Sequence, residues 1–308
     1  MFGSGSKYCT GVHITDDAVY AVQMSRRRKT ISLSACARVD LPDPYQLPER
    51  LAEDVDRAAL AAALRQLAVA GVECQRPYFG LGGTSSFVKR RFLIPNSRTE
   101  TREQLMWEAR QSLEDDYDDF VLDVLQTSRY GFVVAARREV LELYGVLCRQ
   151  AKIGKPGFDM IPFALVNALE GGGAAPDEGS DLLVQLEAAQ GRVVLMRDGE
   201  FEAEAVWDWE DEGTAVSAAR IDLLRSYVEG LLDTGQGTEA ADRVWLASAQ
   251  ALDAGEHLAG LGRSITPLNP FAQLRRRTSA DEALEAMPGG GAALAVAAGL
   301  AFRGLADV

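Results

Sequence analysis

The stretch LLVQLEAAQGRVVLMRDG, Leu182 to Gly199, predicts a strand, a tight turn and a second strand. Two apolar runs rich in Val and Leu flank a short polar segment, which is the pattern of a β-hairpin. A hairpin that binds nucleotide phosphates needs a carboxylate to organise magnesium and glycines that let backbone N–H groups approach the phosphate. Here Gln185 and Glu187 stand at those two places. The hairpin therefore has the shape of a phosphate-binding element without its chemistry.

Length, composition and charge are typical of a globular protein. The 308 residues, 47% of them hydrophobic, are enough to bury a substantial core in one large domain or in two of ordinary size. The formal net charge of −13 would repel a polyphosphate backbone, so we expect no nucleic acid partner. Four cysteines lack the C-x-x-C spacing of zinc and dithiol sites and are expected to be buried and reduced: Cys9, Cys36, Cys74 and Cys148.

The N-terminus and the longest apolar run bear on location. The first residues, MFGSGSKYCTGVHITDD, lack the continuous apolar stretch of a secretory signal. The run Ala292 to Phe302 is well short of the roughly 20 residues that span a bilayer, and its small side chains predict a buried helix instead. We therefore expect a cytoplasmic protein that reaches a membrane through a partner or a surface patch.

The first 175 residues predict two units before a glycine-rich linker. Three antiparallel strands, a helix and a fourth strand are predicted at Tyr8–Ile14, Ala18–Met24, Thr30–Val39, Asp56–Ala70 and Arg76–Leu81. A β-α-β-β-α unit follows at about residues 84–152, with elements at Phe87–Ile94, Glu100–Glu114, Phe120–Gln126, Tyr130–Ala136 and Arg138–Ala151. A short strand, Phe158–Ile161, and a helix from Pro162 to Leu169 lead to the linker Gly171–Gly179.

The second half repeats the opening pattern. Three strands are predicted at Asp181–Glu187, Val193–Arg197 and Glu202–Trp207, followed by one long helix from about Thr214 to Asp233. The remaining elements are predicted at Val244–Ala247, Gln250–Gly260, Ile265–Pro270, Ser279–Ala286 and Ala292–Leu305. A three-strand meander plus a helix in each half predicts a duplicated fold.

Several stretches, in this order along the chain, resemble the PilM family of type IV pilus assembly proteins, which are actin-like relatives of the cell-division protein FtsA. The clearest is EQLMWEARQSLEDDYDDFVLDV, Glu103 to Val124, and it is followed by VVAARREVLELYGVLCRQAKI, DMIPFALVNAL, PLNPF and ALAVAAGLAFRG. The resemblance implies an α/β, actin-like (ribonuclease H-like, duplicated) fold of two lobes. It places the first lobe at residues 1–175 with the inserted subdomain at about 84–152, a shortened second lobe at 180–290, and a C-terminal helix at 291–308 that returns to the first lobe.

The resemblance also implies a function. Proteins of the PilM family lie at the cytoplasmic face of the inner membrane, where they bind the cytoplasmic N-terminal tail of PilN. By resemblance we expect a scaffold that binds a PilN-like tail and other pilus assembly proteins and is peripheral to the membrane through these partners. Homo-oligomerisation is left open.

The segments that hold nucleotide in actin-like ATPases have lost the residues that this chemistry requires. Side chains replace glycines in both phosphate hairpins, each hairpin lacks its expected carboxylate, and the adenosine-side segment Leu246 to Gln250 contains no glycine. Two carboxylates about 4 Å from a phosphate would each cost on the order of 1 to 4 kcal/mol. We therefore expect no cofactor, no metal and no catalytic residue. The degenerate positions are His13, Thr15, Asp16, Gln185, Glu187, Ala247 and Ala249.

Three classes of function stay open on the residues. The leading hypothesis is a non-catalytic scaffold of a type IV pilus or of a related secretion or competence machine. Cytoplasmic scaffolds of the type II secretion system are also actin-like, but they usually carry their own membrane span. Because no such span is predicted here, the pilus is the favoured machine. The enzymatic alternative is an actin-like ATPase with an atypical nucleotide site, and a cytoskeletal polymer former is the third class.

Two basic clusters are candidates for contact with a partner or with anionic lipid. Solvated charge is the simpler interpretation, because membrane recruitment usually needs more basic residues. A further run, Arg275–Arg277, precedes a helix for which Ser279 is the predicted N-cap. Alternation in Val88–Ile94 and Val121–Leu125 predicts a sheet with one face in the core and another that could accept a peptide. The two clusters are Arg26, Arg27, Arg28 and Lys29, at a predicted hairpin tip, and Lys89, Arg90 and Arg91, in the inserted unit.

Overall fold

The computed structural model describes residues 7–41, 51–92, 98–113, 118–174, 178–209, 218–233, 241–249 and 265–307. Its strands are β1 (Lys7–Ile14), β2 (Ala18–Arg27), β3 (Thr30–Asp40), β4 (Pro77–Leu81), β5 (Ser86–Phe92), β6 (Phe120–Gln126), β7 (Tyr130–Arg137), β8 (Gly157–Met160), β9 (Ser180–Leu186), β10 (Gln190–Arg197), β11 (Glu200–Asp208), β12 (Arg243–Ala247), β13 (Ile265–Pro267) and β14 (Arg275–Arg276). Its helices are α1 (Asp54–Val69), α2 (Arg98–Leu113), α3 (Arg138–Ala151), α4 (Ile161–Gly171), α5 (Ala218–Asp233), α6 (Thr278–Glu285), α7 (Gly290–Ala293) and α8 (Ala295–Ala306).

The first lobe is built on a sheet of strand order β14-β3-β2-β1-β4-β8. Short turns make β1, β2 and β3 an antiparallel meander, whereas β4 and β8 pair in parallel after longer connections. Helices α1 and α3 pack together over one face, where Leu64 and Leu147 share a buried cluster with Val12 and Phe79. The sequence pattern grouped α3 with the inserted unit, but its apolar side chains complete the core of this sheet.

The second lobe repeats the arrangement in a sheet of order β11-β10-β9-β12-β13. Strands β9, β10 and β11 form an antiparallel meander, and β12 pairs in parallel with β9 and with β13. Helix α5 covers one face through buried Ile221, Leu224 and Val228. The same meander plus a parallel strand in both sheets confirms the predicted duplicated α/β fold.

A third sheet, of order β5-β7-β6, stands between β4 and α3 in the chain. Helix α2 covers one of its faces, where Leu105 and Ala109 pack near Val133. On the other face, the ring of Phe132 makes edge-to-face contacts with Phe163 of α4 and Phe201 of β11. The inserted sheet is therefore docked against both lobes.

The C-terminal helix α8 is buried between the two large sheets and contributes to the core of each. Gly11 of β1 approaches the backbone of Ala297, and Gly299 of α8 approaches the backbone of Ala164 in α4. A Cβ at either glycine would overlap a carbonyl oxygen, so only glycine allows these elements to lie this close. The run of small residues is thus a buried helix, as predicted.

Most predicted elements are confirmed with shifted ends, and two details were wrong. The last predicted helix is two helices, α7 and α8, which meet at Leu294, where φ is −96° and ψ is 5°. Ser279 is not an N-cap, because the extended backbone ends at Arg277, whose N–H donates to Leu33 O, and α6 begins at Thr278. The predicted helix Gln250–Gly260 lies outside the described residues.

All four cysteines are free and buried, which confirms the expectation from their spacing. In the described part of the chain, no helix has both the length and the apolar character needed to cross a bilayer.

Candidate functional site

A cleft lies where the carboxyl ends of β1 and β9 face each other beside α8. It encloses a cavity of about 290 Å³ that β12 and the chain around α7 also line. The structure thus brings together positions from all three degenerate nucleotide segments. Asp16 is the residue after Thr15, which lines the cavity. The lining positions that the sequence singled out are His13, Thr15, Gln185, Glu187, Ala247 and Ala249.

The centre of the cleft is a hydrogen-bonded group of three side chains. His13 Nε2 lies 2.5 Å from Glu187 Oε1, and Gln185 Nε2 donates to the same carboxylate oxygen. The side chains of His13 and Glu187 are 5% and 19% exposed. An ionised carboxylate only accepts hydrogen bonds, so with Glu187 ionised this contact requires a proton on His13 Nε2. Glu187 is therefore bound by the protein itself at the place where a phosphate hairpin would offer glycine.

The turn after β1 adds negative charge to the cleft. Thr15 Oγ1 donates to Asp17 Oδ1 at 2.7 Å, and Arg38 of β3 lies 3.1 Å from the other Asp17 oxygen. Burial, together with the charges of Asp17 and Glu187, raises the pKa of Asp16 to about 6. Its Oδ1 is buried and makes no hydrogen bond within the described structure. The carboxylates of Asp17 and Glu187 thus line this side of the cleft, and both influence the charge of Asp16.

The opposite side of the cleft is closed by backbone packing. Ser248 Oγ donates to Leu186 O at 2.9 Å, which holds the end of β12 against the end of β9. Gly289, with φ of +75°, passes so near Ala249 that a Cβ would contact the Ala249 backbone. The degenerate adenosine-side segment is here packed, at Ala249, against the chain that precedes α7.

The cleft can hold a proton between an acid and an imidazole, and it can link the two lobes. Among the residues that the structure describes, no group of three or more His, Cys, Asp or Glu side chains could hold a metal ion. The side chains in the cleft thus form a buried polar contact between the two large sheets.

A larger cavity, of about 750 Å³, lies between the inserted sheet and the first lobe, and we call it the groove. Its first wall is β6, the edge strand of the inserted sheet, where Val121 and Leu125 are each 40% exposed. Strand β8 and helix α4 form the second wall, and the start of β11 closes one end. The apolar residues that face β6 include Phe158, Met160, Phe163, Val166 and Phe201.

Carboxylates outnumber cations in the groove. Burial raises the pKa of Asp159 to about 6, although Asn167 Nδ2 donates to it at 3.2 Å. Arg303 Nη1 lies 2.5 Å from Asp307 and is compensated there. The charged residues that line the groove in the described chain are Asp123, Asp159, Glu170, Glu200 and Arg303.

The two basic clusters lie in different settings. Arg27, Arg28 and Lys29 are exposed at the tip of the β2–β3 hairpin, beside Arg26. In the inserted sheet, Lys89 is exposed, whereas Arg90 and Arg91 make contacts within the protein. Arg90 lies 3.4 Å from Glu202 of β11 and 4.8 Å from the centre of the Tyr130 ring, and Arg91 lies 3.1 Å from Glu108 of α2. These two arginines hold the inserted sheet to its surroundings.

Sequence reasoning missed most residues of the groove. Asp159, Phe163 and Glu200 lie on β8, α4 and β11, and no spacing in the sequence connects them. The one available signal was the alternation in Val121–Leu125, which predicted a sheet face open to a peptide.

Comparison with known proteins supports the fold. No protein-family model matches the sequence, and no curated protein matches it. A solved PilM-PilN type IV pilus biogenesis complex matches with a TM-score of 0.68 at 20% sequence identity, over 96% of this chain and 98% of that chain. An inorganic polyphosphate/ATP-glucomannokinase from Arthrobacter sp. strain KM matches with a TM-score of 0.50 at 12% identity, over 98% and 99%. The chain therefore has an actin-like α/β fold, in the form that it shares with PilM.

Proposed function

We propose that this chain is a non-catalytic scaffold of a type IV pilus, or of a related secretion or competence machine, at the cytoplasmic face of the inner membrane. In this proposal the groove binds the cytoplasmic tail of a PilN-like membrane protein. The observation that carries it is the pair of half-exposed apolar side chains, Val121 and Leu125, on the groove face of the edge strand β6. The fold that the chain shares with the PilM-PilN complex supports the choice of partner.

The face of β6 toward the groove carries the half-exposed apolar side chains of Val121 and Leu125, with Asp123 between them. Because side chains alternate along a strand, Leu122 and Val124 pack toward α2, whereas Val121 and Leu125 turn to the groove. Removal of such side chains from water contributes about 25 cal/mol per Å² of buried apolar surface, and the entropy cost of association reduces the net gain. An apolar segment of a partner would gain this energy in a concave site that already exists.

The backbone of β6 also suits an extended tail. As an edge strand, β6 can pair with an added strand. Two of its backbone groups are now satisfied by side chains: Asp123 Oδ1 accepts from Val124 N–H at 2.8 Å, and Arg138 donates to Phe120 O at 3.3 Å. Because these side chains lie at the surface, they can move away and leave the two backbone groups of β6 to bond with the backbone of a bound peptide.

The negative charge of the groove favours a peptide that carries positive charge. Arg303 is paired to Asp307, and Asp123 is paired to Arg102. It is therefore the carboxylate of Asp159 that favours a cationic side chain in the ligand. The tail that fits the groove best is therefore short, extended and apolar, with at least one Lys or Arg.

The cleft supports a role without catalysis. Glu187 is held by His13 and Gln185, and Asp16 adds charge of the sign that phosphate carries, whereas Asp17 is paired with Arg38. Each carboxylate about 4 Å from a phosphate costs on the order of 1 to 4 kcal/mol. Together they oppose ordinary ATP affinity.

Fluorescence anisotropy with the labelled cytoplasmic N-terminal peptide of a PilN-like protein from the same organism tests the proposal. We expect saturable binding with a Kd at or below about 100 µM. Leu125→Arg should abolish it, because the arginine would enter the groove. Val69→Arg is the matched control, since Val69 lies on α1 at 91% exposure. Absence of binding by the wild type, or equal loss in both variants, contradicts the proposal.

The alternative of an actin-like ATPase is tested by isothermal titration with Mg-ATP. The glucomannokinase that shares the fold acts with ATP according to its name, which makes the question concrete. Saturable binding at micromolar concentration would reject the non-catalytic role, whereas no detectable heat at about 1 mM nucleotide supports it.

A further inference from the structure

The tertiary structure brings two distant basic runs to one edge of the first sheet. Strand β14 pairs in parallel with β3, so that Arg275 lies opposite Ser32, and β3 begins at the basic hairpin tip. Strand β1 adds Lys7, whose partner across the sheet is Arg26. We call this set the basic edge, and it consists of Lys7, Arg26, Arg27, Arg28, Lys29, Arg275, Arg276 and Arg277.

Most of the charge on the basic edge is not neutralised by the protein. Arg27, Arg28, Lys29, Arg275 and Arg277 are exposed, and none of them has an ion-pair partner among the described residues. Arg276 differs, because its Nε lies 3.0 Å from Asp281 of α6.

The two runs are close enough to act on the same ligand. Strands lie about 4.8 Å apart, so Arg26 on β2 and Arg275 on β14 are separated by roughly 10 Å across β3. This distance is close to the Debye length of about 8 Å at physiological salt, so an anionic surface near one run also experiences the field of the other.

We propose that the basic edge binds the anionic headgroup surface of a membrane. Clusters of four to eight Lys and Arg side chains have the size that recognises anionic lipid. Tyr8, 41% exposed and next to the Lys7–Arg26 pair, adds an aromatic side chain of the kind found at membrane interfaces.

The overall charge favours a surface over an extended polyanion. The chain carries a net charge of −13 despite this edge, so its remaining surface is strongly negative. A flat anionic surface meets the molecule through the basic edge alone, whereas a nucleic acid long enough to pass beyond the edge would also meet the negative remainder.

The membrane contact is independent of tail binding and goes beyond it. The basic edge lies at the β14 side of the first sheet, and the groove lies at the β8 side, which is the opposite end of the strand order. One molecule can therefore contact lipid and hold a peptide at the same time.

Co-sedimentation of the full chain with lipid vesicles tests the inference. We expect it to pellet with vesicles of phosphatidylcholine containing about 30% phosphatidylglycerol, not with pure phosphatidylcholine, and to be released by about 0.5 M NaCl. Arg27→Glu/Lys29→Glu and Arg275→Glu/Arg277→Glu should each lower the partition coefficient at least about tenfold. Lys152→Glu/Lys155→Glu makes the same change of charge at exposed positions elsewhere and should bind like the wild type.

The outcomes separate cleanly once circular dichroism shows that the variants fold. Failure of the wild type to pellet with anionic vesicles overturns the inference. Equal losses in the control variant would mean that net charge, and not this edge, governs binding, and unchanged binding by both basic-edge variants would also reject it. Since no peptide is present, the result does not depend on whether the groove binds a tail.

Discussion

His13 Nε2 lies 2.5 Å from Glu187 Oε1, and this contact joins the end of strand β1 in the first lobe to the residue that follows β9 in the second. The two residues are 174 positions apart in the chain. Each stands where the resemblance to actin-like ATPases implies a residue that handles phosphate. In this protein the lobes are joined at the cleft by their own side chains.

Removal of Glu187 should destabilise the fold and should not create a nucleotide site. Glu187→Ala leaves His13 Nε2–H and the Gln185 amide without their shared acceptor, which costs about 1 to 3 kcal/mol in the free energy of unfolding. A double-mutant cycle with His13→Ala, measured by urea unfolding, should show coupling above about 1 kcal/mol. The exposed pair Arg102–Asp123 is the control and should couple by less than about 0.5 kcal/mol. Similar coupling in both pairs would contradict the prediction.

Asp16 should make stability depend on pH. Its pKa in the folded protein is about 6, raised first by burial and then by Asp17 and Glu187, from an ordinary value of 3.8. The native state therefore binds the proton more tightly than the unfolded state. As the pH rises from about 4 to 6, Asp16 lowers the free energy of unfolding, and above pH 6 the full destabilisation is present. Asp16→Asn should therefore stabilise the protein by on the order of 1 kcal/mol at pH 7.5 and by little at pH 4. Urea midpoints at the two pH values measure this, and equal stabilisation at both would contradict the prediction.

Tail binding in the groove should strengthen with pH. Burial raises the pKa of Asp159 to about 6, and a cationic tail prefers the ionised carboxylate. Since about a tenth of such groups are ionised at pH 5 and nearly all at pH 7.5, affinity should rise about tenfold over this range. Asp159→Asn should bind more weakly and with a flat pH profile in the anisotropy assay. A profile in the variant that is as steep as in the wild type would assign the effect to another group.

Glycines in the small-residue packing around α8 should tolerate no side chain. Gly299→Ala places a Cβ against the carbonyl oxygen of Ala164, and Gly11→Ala does so at Ala297, so either variant should lose about 3 kcal/mol or fail to fold. Gly230→Ala on α5 is the control, because open space surrounds it and alanine favours a helix by up to about 1 kcal/mol. Thermal unfolding midpoints below the wild type for the first two and at or above it for the third are expected.

The cysteines should be unreactive in the folded protein. Burial raises the pKa of Cys9, Cys74 and Cys148 to about 12 and that of Cys36 to about 11. Because the thiolate is the reactive form, labelling by a disulfide reagent at neutral pH should be slow until urea exposes all four thiols. One rapidly labelled thiol in the native protein would show that the burial of that cysteine is incomplete.

The local elements were predictable because their signals are local. Alternation predicted β6 and β7, and the Ala/Leu-rich and charged segments predicted α1 and α3, with errors confined mostly to the ends. Ser279 shows the limit: a serine before acidic residues favours an N-cap, but the pairing of β14 with β3 extends the backbone to Arg277 and sets the start of α6. The membership of α3 in the core of the first lobe likewise depends on contacts with α1 that no periodicity records.

By itself, the sequence determined the α/β duplication and the replacement of residues at the nucleotide positions, because alternation, turns and residue identity are properties of the chain. Only the tertiary structure decided what those residues now do. The pairing of His13 with Glu187, the groove between β6 and α4, and the basic edge of Arg27 and Arg275 each join segments that are far apart in the chain. Such contacts arise from strand order and from the return of the chain to the first sheet. Burial then shifts the pKa of the carboxylates at these sites, Asp16 and Asp159.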